Sequence, residues 1–151
     1  EIGVRLVGSE MCIRDRTEGD IKDQKAKYRM YDKTRIKKCM IKNERLKEND
    51  GKPFTWKIKP KERIETKEGH LKKGTCVQVA ACMGFEEEHP ETHIAIGIID
   101  EDGEETYIEN GVNLVSHLKV KKDGRYRVFL ENLGAKKAIA GGHYMVITEE
   151  E

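Results

Sequence analysis

Apolar and polar residues alternate with a period of two along much of this chain, most clearly in the stretch 123–132. Asp123-Gly124 is typical of a turn, and Tyr126, Val128 and Leu130 follow at alternate positions. Successive side chains of a strand point to opposite faces of a sheet, so these three would share one face. The stretch therefore predicts a turn and a strand, with Tyr126 as a core aromatic.

The preceding stretch has the same parity. Its alternate positions are apolar or small, whereas Lys119 and Lys121 fall on the other face; the inward set is Val112, Leu114, Ser116, Leu118 and Val120. We expect the two strands to form an antiparallel pair joined through Lys-Lys-Asp-Gly. Gly124 would then take the positive φ that such a turn requires.

Similar alternation recurs before this pair. Phe54, Trp56 and Ile58 predict a strand that stops at Pro60, with Trp56 as a core anchor. Residues 64–71 lead into a strand expected over 75–83, and two more are expected over 92–100 and 104–109, joined by a hairpin at 100–103. Inward residues would be Val77, Val79, Ala81 and Met83 on one strand and Ile94, Ile96 and Ile98 on the next. A final strand over 135–148 is interrupted by Gly141-Gly142, which indicates a bulge or a close backbone approach.

About eight short strands at spacings of roughly 8 to 12 residues predict an all-β protein, an antiparallel β-sandwich of the jelly-roll or Ig-like class. No segment shows a helical period. The residues expected to carry structural roles are Trp56, Gly74, Gly103, Gly124, Tyr126 and Asn132.

Residues 1–16 resemble the conceptual translation of a transposon-end adapter used in preparing sequencing libraries, and the match is specific over Leu6 to Arg16 (LVGSEMCIRDR). We interpret them as foreign to the native protein and leave them out of fold reasoning. On this interpretation Cys12 drops out of the cysteine count and the true N-terminus is missing. The remaining organisation is a basic lead-in over 17–53 with one or two strands, a sandwich domain over 54–148 and an acidic tail over 149–151.

Charge divides the chain. Charged residues make up 38% of the sequence, mean hydropathy is −0.76 and net charge is +1. Residues 17–73 hold 19 basic against 10 acidic residues, whereas residues 74–151 hold 7 against 15. The basic segment 22–73 could bind a polyanion or another domain of the same polypeptide, or the two halves could attract each other across one sheet. The periodic strands indicate that most of the charge lies on a solvated outer face.

The sequence shows no pattern typical of nucleic-acid-binding proteins or of transmembrane helices. Neither a recognition helix nor the interleaved stacking aromatics of an RNA-binding sheet is present, so nothing predicts sequence-specific nucleic-acid binding. No apolar run approaches the roughly 18 residues of a transmembrane helix.

Three motifs carry a family resemblance: Leu71-Lys72-Lys73-Gly74-Thr75 before a strand, 98–103 at a hairpin, and 120–128 before Asn132. Together, over roughly 64–147, they resemble the bacterial pre-peptidase C-terminal type of β-sandwich. The resemblance implies a non-catalytic accessory or binding module of a secreted or envelope protein. The alternatives are a sensor or regulatory domain of a membrane protein whose N-terminal part is missing, and a small metal- or cysteine-dependent enzyme.

The loop 86–93 is one candidate metal site, with His89, Glu91 and His93 as potential ligands. Pro90 prevents the helical turn that would normally bring two histidines four apart onto one face. An acidic solvated loop is the favoured interpretation.

Asp100 and Asp102 begin a second candidate metal site, because oxygen ligands around a glycine turn are typical of calcium-binding loops. Gly111 stands where such a loop needs its bidentate glutamate. The pattern therefore favours a hairpin turn, and the sequence predicts no cofactor.

The pairing of the cysteines indicates whether the protein lies in a reducing or an oxidising cellular compartment. Cys76 and Cys82 lie six residues apart on one strand, about 20 Å, which is beyond disulfide reach. Either Cys39 bridges to one of them, or all three are free thiols. Unpaired cysteines favour a cytoplasmic location, whereas the family resemblance implies an extracellular or envelope one. No activating Cys–His spacing is recognisable.

Overall fold

The computed structural model describes residues 24–45, 52–83, 93–110 and 113–147. These form eleven strands and one short 3₁₀ turn, Lys33–Arg35. The strands are β1 Lys27–Met30, β2 Lys38–Arg45, β3 Lys52–Ile58, β4 Glu62–Lys67, β5 Gly69–Leu71, β6 Cys76–Met83, β7 Ile94–Asp100, β8 Glu104–Asn110, β9 Asn113–Lys119, β10 Gly124–Asn132 and β11 Ala138–Ile147.

The strands form two sheets. Sheet A runs in the order β1-β8-β7-β10-β4-β2, with β5 also paired to β10, and sheet B runs in the order β3-β11-β6-β9. The predicted all-β sandwich is confirmed, with eleven described strands where the sequence predicted about eight. One pair, β2 with β4, is parallel. Parallel neighbours need a crossover connection, and here the chain passes through β3 in sheet B between them.

Residues of inward parity from both sheets fill the core. Tyr126, Val128 and Leu130 are buried together, as the alternation predicted, and so are eight further inward positions: Phe54, Ile58, Val77, Val79, Ala81, Ile94, Ile96 and Ile98. The side chain of Met83 lies outside the described residues. Trp56 is buried, and its ring stacks on Phe54 with 4.2 Å between ring centroids. Burial of these side chains is the main stabilising term of the sandwich.

The predicted antiparallel pair of β9 and β10 is wrong. β9 pairs with β6 in sheet B, whereas β10 lies in sheet A beside β7, β4 and β5. The connection over 120–123 therefore carries the chain from one sheet to the other. Both sheets face one core, so the same alternate residues of β9 point inward whether the chain turns back within one sheet or crosses to the other. The residues predicted to face inward are therefore still buried: Leu114, Ser116, Leu118 and Val120. Val112 lies outside the described residues.

Gly124 has the positive φ that the sequence predicted, but it does not lie in a hairpin turn between β9 and β10. Its φ of 159° is close to extended, because β10 begins at this residue and pairs with Leu71. The left-handed conformation occurs instead at Gly74, with φ of 92°, and at Gly103, with φ of 90°. Gly103 belongs to the predicted hairpin between β7 and β8, where its N–H donates to the carbonyl of Asp100 over 3.1 Å.

Gly141 and Gly142 lie in the middle of β11, which is hydrogen-bonded to β3 on one side and β6 on the other. The register runs through both glycines without a break, so no bulge forms. A Cβ atom at Gly142 would stand 2.0 Å from the carbonyl oxygen of Ala80. The close backbone approach expected from the sequence is therefore present.

Two polar side chains fix the ends of β10. Asn132 donates from Nδ2 to the carbonyls of Ile58 and Lys136, each over 2.9 Å, and its Oδ1 accepts from the N–H of Gly134. The hydroxyl of Tyr126 donates to the carbonyl of Lys122 over 2.7 Å. Both residues satisfy backbone groups that the ladders leave unpaired, as buried polar atoms require.

The basic lead-in contributes both edges of sheet A. β1 and β2 come from the segment 17–53 and lie at opposite ends of the strand order. Within the described ranges, no helix has the length and apolarity to cross a bilayer.

Candidate recognition groove on sheet A

The outer face of sheet A is partly covered by the chain itself. Residues 31–37, which we call the crossing segment, connect β1 at one edge of the sheet to β2 at the other. The N–H of Tyr31 donates to the carbonyl of Gly103 over 2.8 Å, and the N–H of Lys37 donates to the carbonyl of Lys61 over 2.7 Å. Asp32 caps the 3₁₀ turn by accepting from the N–H of Thr34. The crossing segment is thus anchored at both ends.

Arg63 lies in the sheet beneath the crossing segment with 0% of its surface exposed. Its Nε donates to Glu65 over 2.7 Å and its Nη1 donates to Glu131 over 2.8 Å. Its Nη2 lies 2.8 Å from Oε2 of Glu105, without the alignment of a good hydrogen bond. The guanidinium packs between two rings, 4.0 Å from the centroid of Phe129 and 5.1 Å from that of Tyr31.

Two further arginines close this buried ion-pair network from the side of β1 and the crossing segment. Arg29 donates to Glu105 over 2.5 Å and to Glu131 over 3.0 Å, and Arg35 donates to Glu131 over 2.8 Å. Burial alone would raise the pKa of Glu131, but the hydrogen bond from Arg35 and the positive charges of Arg29, Arg35 and Arg63 outweigh it. The pKa of Glu131 therefore lies below its ordinary value.

Residues of the basic half of the chain thus form buried ion pairs with residues of the acidic half. Arg29, Arg35 and Arg63 come from the basic half of the chain, and Glu105 and Glu131 come from the acidic half. The expectation that two halves attract each other across one sheet describes these contacts. The expectation of a solvated outer face is wrong for this part of sheet A, where the glutamates are buried.

The charges continue from the buried network towards solvent. Glu65 accepts from Nη1 of Arg127 over 2.8 Å, and Nη2 of Arg127 donates to Glu68 over 3.4 Å. Nε of Arg125 lies 3.9 Å from Glu68 and donates to Glu101 over 3.1 Å. Opposite charges thus alternate along the sheet face, from the fully buried Arg63 to Arg125, whose side chain is 61% exposed.

At the exposed end lies an open groove of about 640 Å³, bordered by the crossing segment and by the hairpin between β7 and β8. Its apolar lining comes from Tyr31, Cys39, Ile41 and Ile99. Its charged lining comes from Glu65, Glu68, Asp100, Glu101, Arg125 and Arg127. We call this the recognition groove; Tyr31 and Ile41 are 38% and 52% exposed within it.

Cys39 brings a thiol to the groove. Cys39 is an exposed residue, but partial desolvation of its thiol by the walls of the groove raises the pKa to about 11, and the negative charge of Glu65 adds to the effect. A thiol with such a pKa is almost entirely protonated at neutral pH, and the thiolate is the reactive form. The groove therefore holds an unactivated cysteine.

The other cysteines correct both pairings considered from the sequence. Cys82 is disulfide-bonded, whereas Cys39 and Cys76 are in no disulfide. Hence Cys39 bridges to neither of the other two, and the three are not all free. The sequence argument that Cys76 and Cys82 are too far apart to pair agrees with this outcome.

Of the predicted metal ligands on the loop 86–93, His89 and Glu91 lie outside the described residues. Nε2 of His93 lies 2.9 Å from Glu109, whose other carboxylate oxygen is 2.6 Å from Nζ of Lys27. Within the described ranges, no three His, Cys, Asp or Glu side chains converge in a metal-binding arrangement.

Asp100 and Asp102 sit in the hairpin turn. Oδ1 of Asp100 accepts from the N–H groups of Asp102 and Glu104, each over 2.9 Å. Nζ of Lys122 lies 2.6 Å from Asp102 and 3.6 Å from Asp100. A lysine ammonium thus stands beside the two carboxylates, and the turn is held by its own backbone.

Sequence reasoning identified neither the buried network nor the groove. The signal present was a set of opposite charges at outward parity on separate strands, beside the outward aromatic Phe129. Which strands are neighbours decides whether such charges meet, and that order is fixed by the sheet topology.

Comparisons with known proteins add little. No family model matches the chain and no curated protein sequence matches it. Among solved structures, the chain is similar to a protein from Aeromonas hydrophila described as PliG, a periplasmic lysozyme inhibitor of g-type lysozyme. That alignment has 10% identity and a TM-score of 0.40, and covers 72% of this chain and 98% of the other. A similarity of this size carries no inference about function.

Proposed function

We propose that this chain is a non-catalytic binding module of a bacterial secreted or envelope protein, and that the recognition groove is its protein-binding surface. The observation that carries the proposal is the combination of exposed Tyr31 and Ile41 with exposed Arg125 at one concavity. Tyrosine and arginine are enriched among the residues that supply most of the binding energy of protein interfaces.

A non-catalytic role is supported by the state of the groups that line the groove. The Cys39 thiol is protonated at neutral pH because its pKa is raised to about 11. Glu65 is held between Arg63 and Arg127, and Asp100 accepts two backbone hydrogen bonds. General acid–base catalysis needs a group that can exchange a proton with a substrate, and these two carboxylates are already engaged by partners within the protein.

A secreted or envelope location is supported by the resemblance of residues 64–147 to the pre-peptidase C-terminal type of β-sandwich. The thiol of Cys39, which is in no disulfide, points the other way, towards a reducing compartment, whereas the disulfide-bonded Cys82 favours an oxidising one. Fractionation of the native host, followed by detection of the protein, decides between the two. Recovery with cytoplasmic markers would contradict this part of the proposal.

The binding role is tested by selecting peptides from a random display library on the full 151-residue chain. The same library is then screened on Ile41→Asp, which places a charge in the apolar lining of the groove. The matched control is Thr55→Asp, an equivalent change at an exposed position on the outer face of sheet B. We expect peptides selected on the wild type to bind the Thr55 variant and to lose binding to the Ile41 variant. Equal binding to both variants would show that the groove is not the binding surface.

A further inference from the structure

We infer that the free edge of β2 binds an extended, acidic segment of the partner protein as an added strand. This inference rests on the proposed function, because β2 carries Ile41, which lines the recognition groove. Within the described ranges β2 pairs with β4 alone and ends the strand order of sheet A. An edge strand directs alternate N–H and C=O groups away from its sheet, and an extended peptide can pair with them.

The strands at the other three ends of the two sheets are less open to such a partner. β1 has four residues, whereas β2 has eight. β3 contains Pro53, and a proline has no N–H to donate to an added strand. β9 is covered in part, because the N–H of Gln24 donates to the carbonyl of Val115 and the hydroxyl of Ser116 donates to the carbonyl of Gln24, each over 2.9 Å. An added strand is therefore expected at β2.

Basic side chains lie along this edge. Lys38 and Lys42 stand on either side of Met40 and share its face of the strand. Met40 packs against the core, and Nζ of Lys42 lies 5.8 Å from the centroid of the Trp56 ring. No acidic side chain of the described residues pairs with either lysine. The stretch 33–43 holds five basic residues and no acidic one.

Further lysines border the start of β2. The N–H of Lys37 donates to the carbonyl of Lys61, and both side chains are exposed, as is that of Lys59. Glu62 aligns with Lys38 across the β2–β4 ladder, but its Oε1 accepts from the N–H of Lys59 over 3.1 Å. The positive charge at this end of the edge therefore exceeds the negative charge beside it, and an acidic segment is attracted to it.

The same lysines disfavour a second copy of this chain as the occupant. If two β2 strands paired in antiparallel fashion about Met40, Lys38 of each copy would lie opposite Lys42 of the other. Like charges directly opposite each other destabilise a sheet, and opposite charges stabilise it by a similar amount. Lysine on an edge strand is a common protection against such self-pairing. That protection does not exclude a strand with acidic residues at the facing positions.

The alternation along β2 predicts the sequence pattern of the partner. The register with β4 is regular over Lys38–Ile41 and shifts before Arg45, so the partner strand is expected along 38–42. Positions that face Lys38 and Lys42 would be acidic. Positions that face Cys39 and Ile41 would be apolar, because both residues are exposed and Ile41 is an apolar side chain with 52% of its surface in solvent.

The experiment uses a short peptide with the core glutamate, valine, threonine, valine, glutamate, and two versions in which glutamine or lysine replaces both glutamates. Each is titrated into the ¹⁵N-labelled full chain, and affinity and binding position are read from amide shifts. We expect the glutamate peptide to shift the amides of Cys39 and Ile41. The glutamine and lysine peptides should bind at least about fivefold more weakly, the range of exposed charge pairs.

Strand addition itself is tested with two further glutamate peptides, methylated on alternate main-chain nitrogens in the two possible phases. In one phase the methyl groups meet β2 and in the other they face solvent. We expect the two to differ at least about tenfold in affinity, because main-chain hydrogen bonds supply most of the binding in this mode. Equal affinity of the two methylated peptides would overturn the inference.

The variants Lys38→Gln and Lys42→Gln should each weaken the glutamate peptide up to about fivefold. Lys119→Gln is the matched control, because it removes the same charge from an exposed position on β9. Equal weakening by all three variants, or equal binding of the glutamate and glutamine peptides, would overturn the inference. Self-association of Lys38→Gln, with no peptide bound by the wild type, would also overturn it and would leave the lysines with a protective role alone.

Failure of this inference can be told from failure of the proposed function. If peptides from the display library lose binding to Ile41→Asp while the glutamate peptide shifts no amide of β2, the inference is wrong and the proposed function stands. Library peptides that bind Ile41→Asp undiminished would overturn the proposed function and, with it, the assignment of β2 to the same partner.

Discussion

Arg63 and Phe129 lie stacked on the outer side of sheet A, with 4.0 Å between the guanidinium carbon and the ring centroid, and both are 0% exposed. Sheet faces that point away from a core are usually solvated in antiparallel sandwiches. Here the face is covered by the crossing segment, and the buried cation is balanced by glutamates from β4, β8 and β10. The protein therefore has an apolar core on one side of sheet A and, on the other, an ionic core beside a small apolar cluster of Ala95, Ile99, Tyr107 and Phe129.

Removing the central cation should strongly destabilise the fold. Arg63→Met leaves Glu65, Glu105 and Glu131 buried with their common partner gone, and breaking a buried ion pair in this way costs about 3–5 kcal/mol. The measurement is the free energy of unfolding from urea denaturation. Arg125→Met is the matched control: its side chain is 61% exposed, so the loss there should stay below about 1 kcal/mol. Similar losses for the two variants would mean that the buried network does not stabilise the fold.

The sequence predicted the apolar core well, because a period of two reports directly which face of a strand packs against the opposite sheet. Ile94, Ile96 and Ile98 on β7 are an example, and Phe54, Trp56 and Ile58 on β3 are another. The pairing of strands could not be predicted in the same way. The alternate residues of β9 and β10 that point inward are the same as they would be in a hairpin, although the two strands belong to opposite sheets.

The recognition groove and the ionic core were beyond the sequence for a related reason. Arg63 meets Glu131 across 68 positions of the chain, and alternation assigns both to an outward face without saying what covers it. The cover is the crossing segment, which lies where it does only because β1 and β2 occupy opposite edges of sheet A. Local patterns carry no information about that arrangement.

Acid should destabilise the protein through the same network. The pKa of Glu131 is lowered in the folded state from its ordinary value of 4.5. Below that value the unfolded chain takes up a proton that the folded chain resists, so stability is present above about pH 4.5 and is lost as the pH falls through the folded pKa. Each such proton gives a slope of up to about 1.4 kcal/mol per pH unit.

Urea denaturation at a series of pH values measures that slope. Glu131→Gln should reduce it by removing one such group, and the remainder comes from other carboxylates with lowered pKa values, such as Glu109. The variant will be less stable at neutral pH, so the comparison concerns the slope and not the absolute free energy. If the unfolding free energy of Glu131→Gln falls with pH as steeply as that of the wild type, the acid sensitivity comes from other groups.

Gly142→Ala should destabilise sheet B severely. The added Cβ would lie 2.0 Å from the carbonyl oxygen of Ala80 and 2.8 Å from the Cα of Ala81, both of them backbone atoms of the neighbouring strand. Relief requires the strands to separate, and we expect a loss of about 3 kcal/mol, the upper part of the range for overpacking. Gly74→Ala is the control, because nothing lies within 4 Å of its Cβ position and only its φ of 92° is unfavourable. Thermal unfolding of the two variants measures the difference, and a milder effect at Gly142 than at Gly74 would contradict the close approach.

Cys39 should react slowly with alkylating agents although it borders an open groove. Its pKa is raised from 9.0 to about 11, so its thiolate fraction near pH 8 is about a hundredfold lower than that of an ordinary cysteine. The greater intrinsic nucleophilicity of a high-pKa thiolate recovers about tenfold of this, which leaves a rate about tenfold below that of a free cysteine derivative. Iodoacetamide labelling followed by peptide mapping measures the rate at Cys39 alone. The rate should keep rising through pH 9 to pH 10 without a plateau, and a plateau near pH 8 would show that the thiol is activated and would reopen a cysteine-dependent activity.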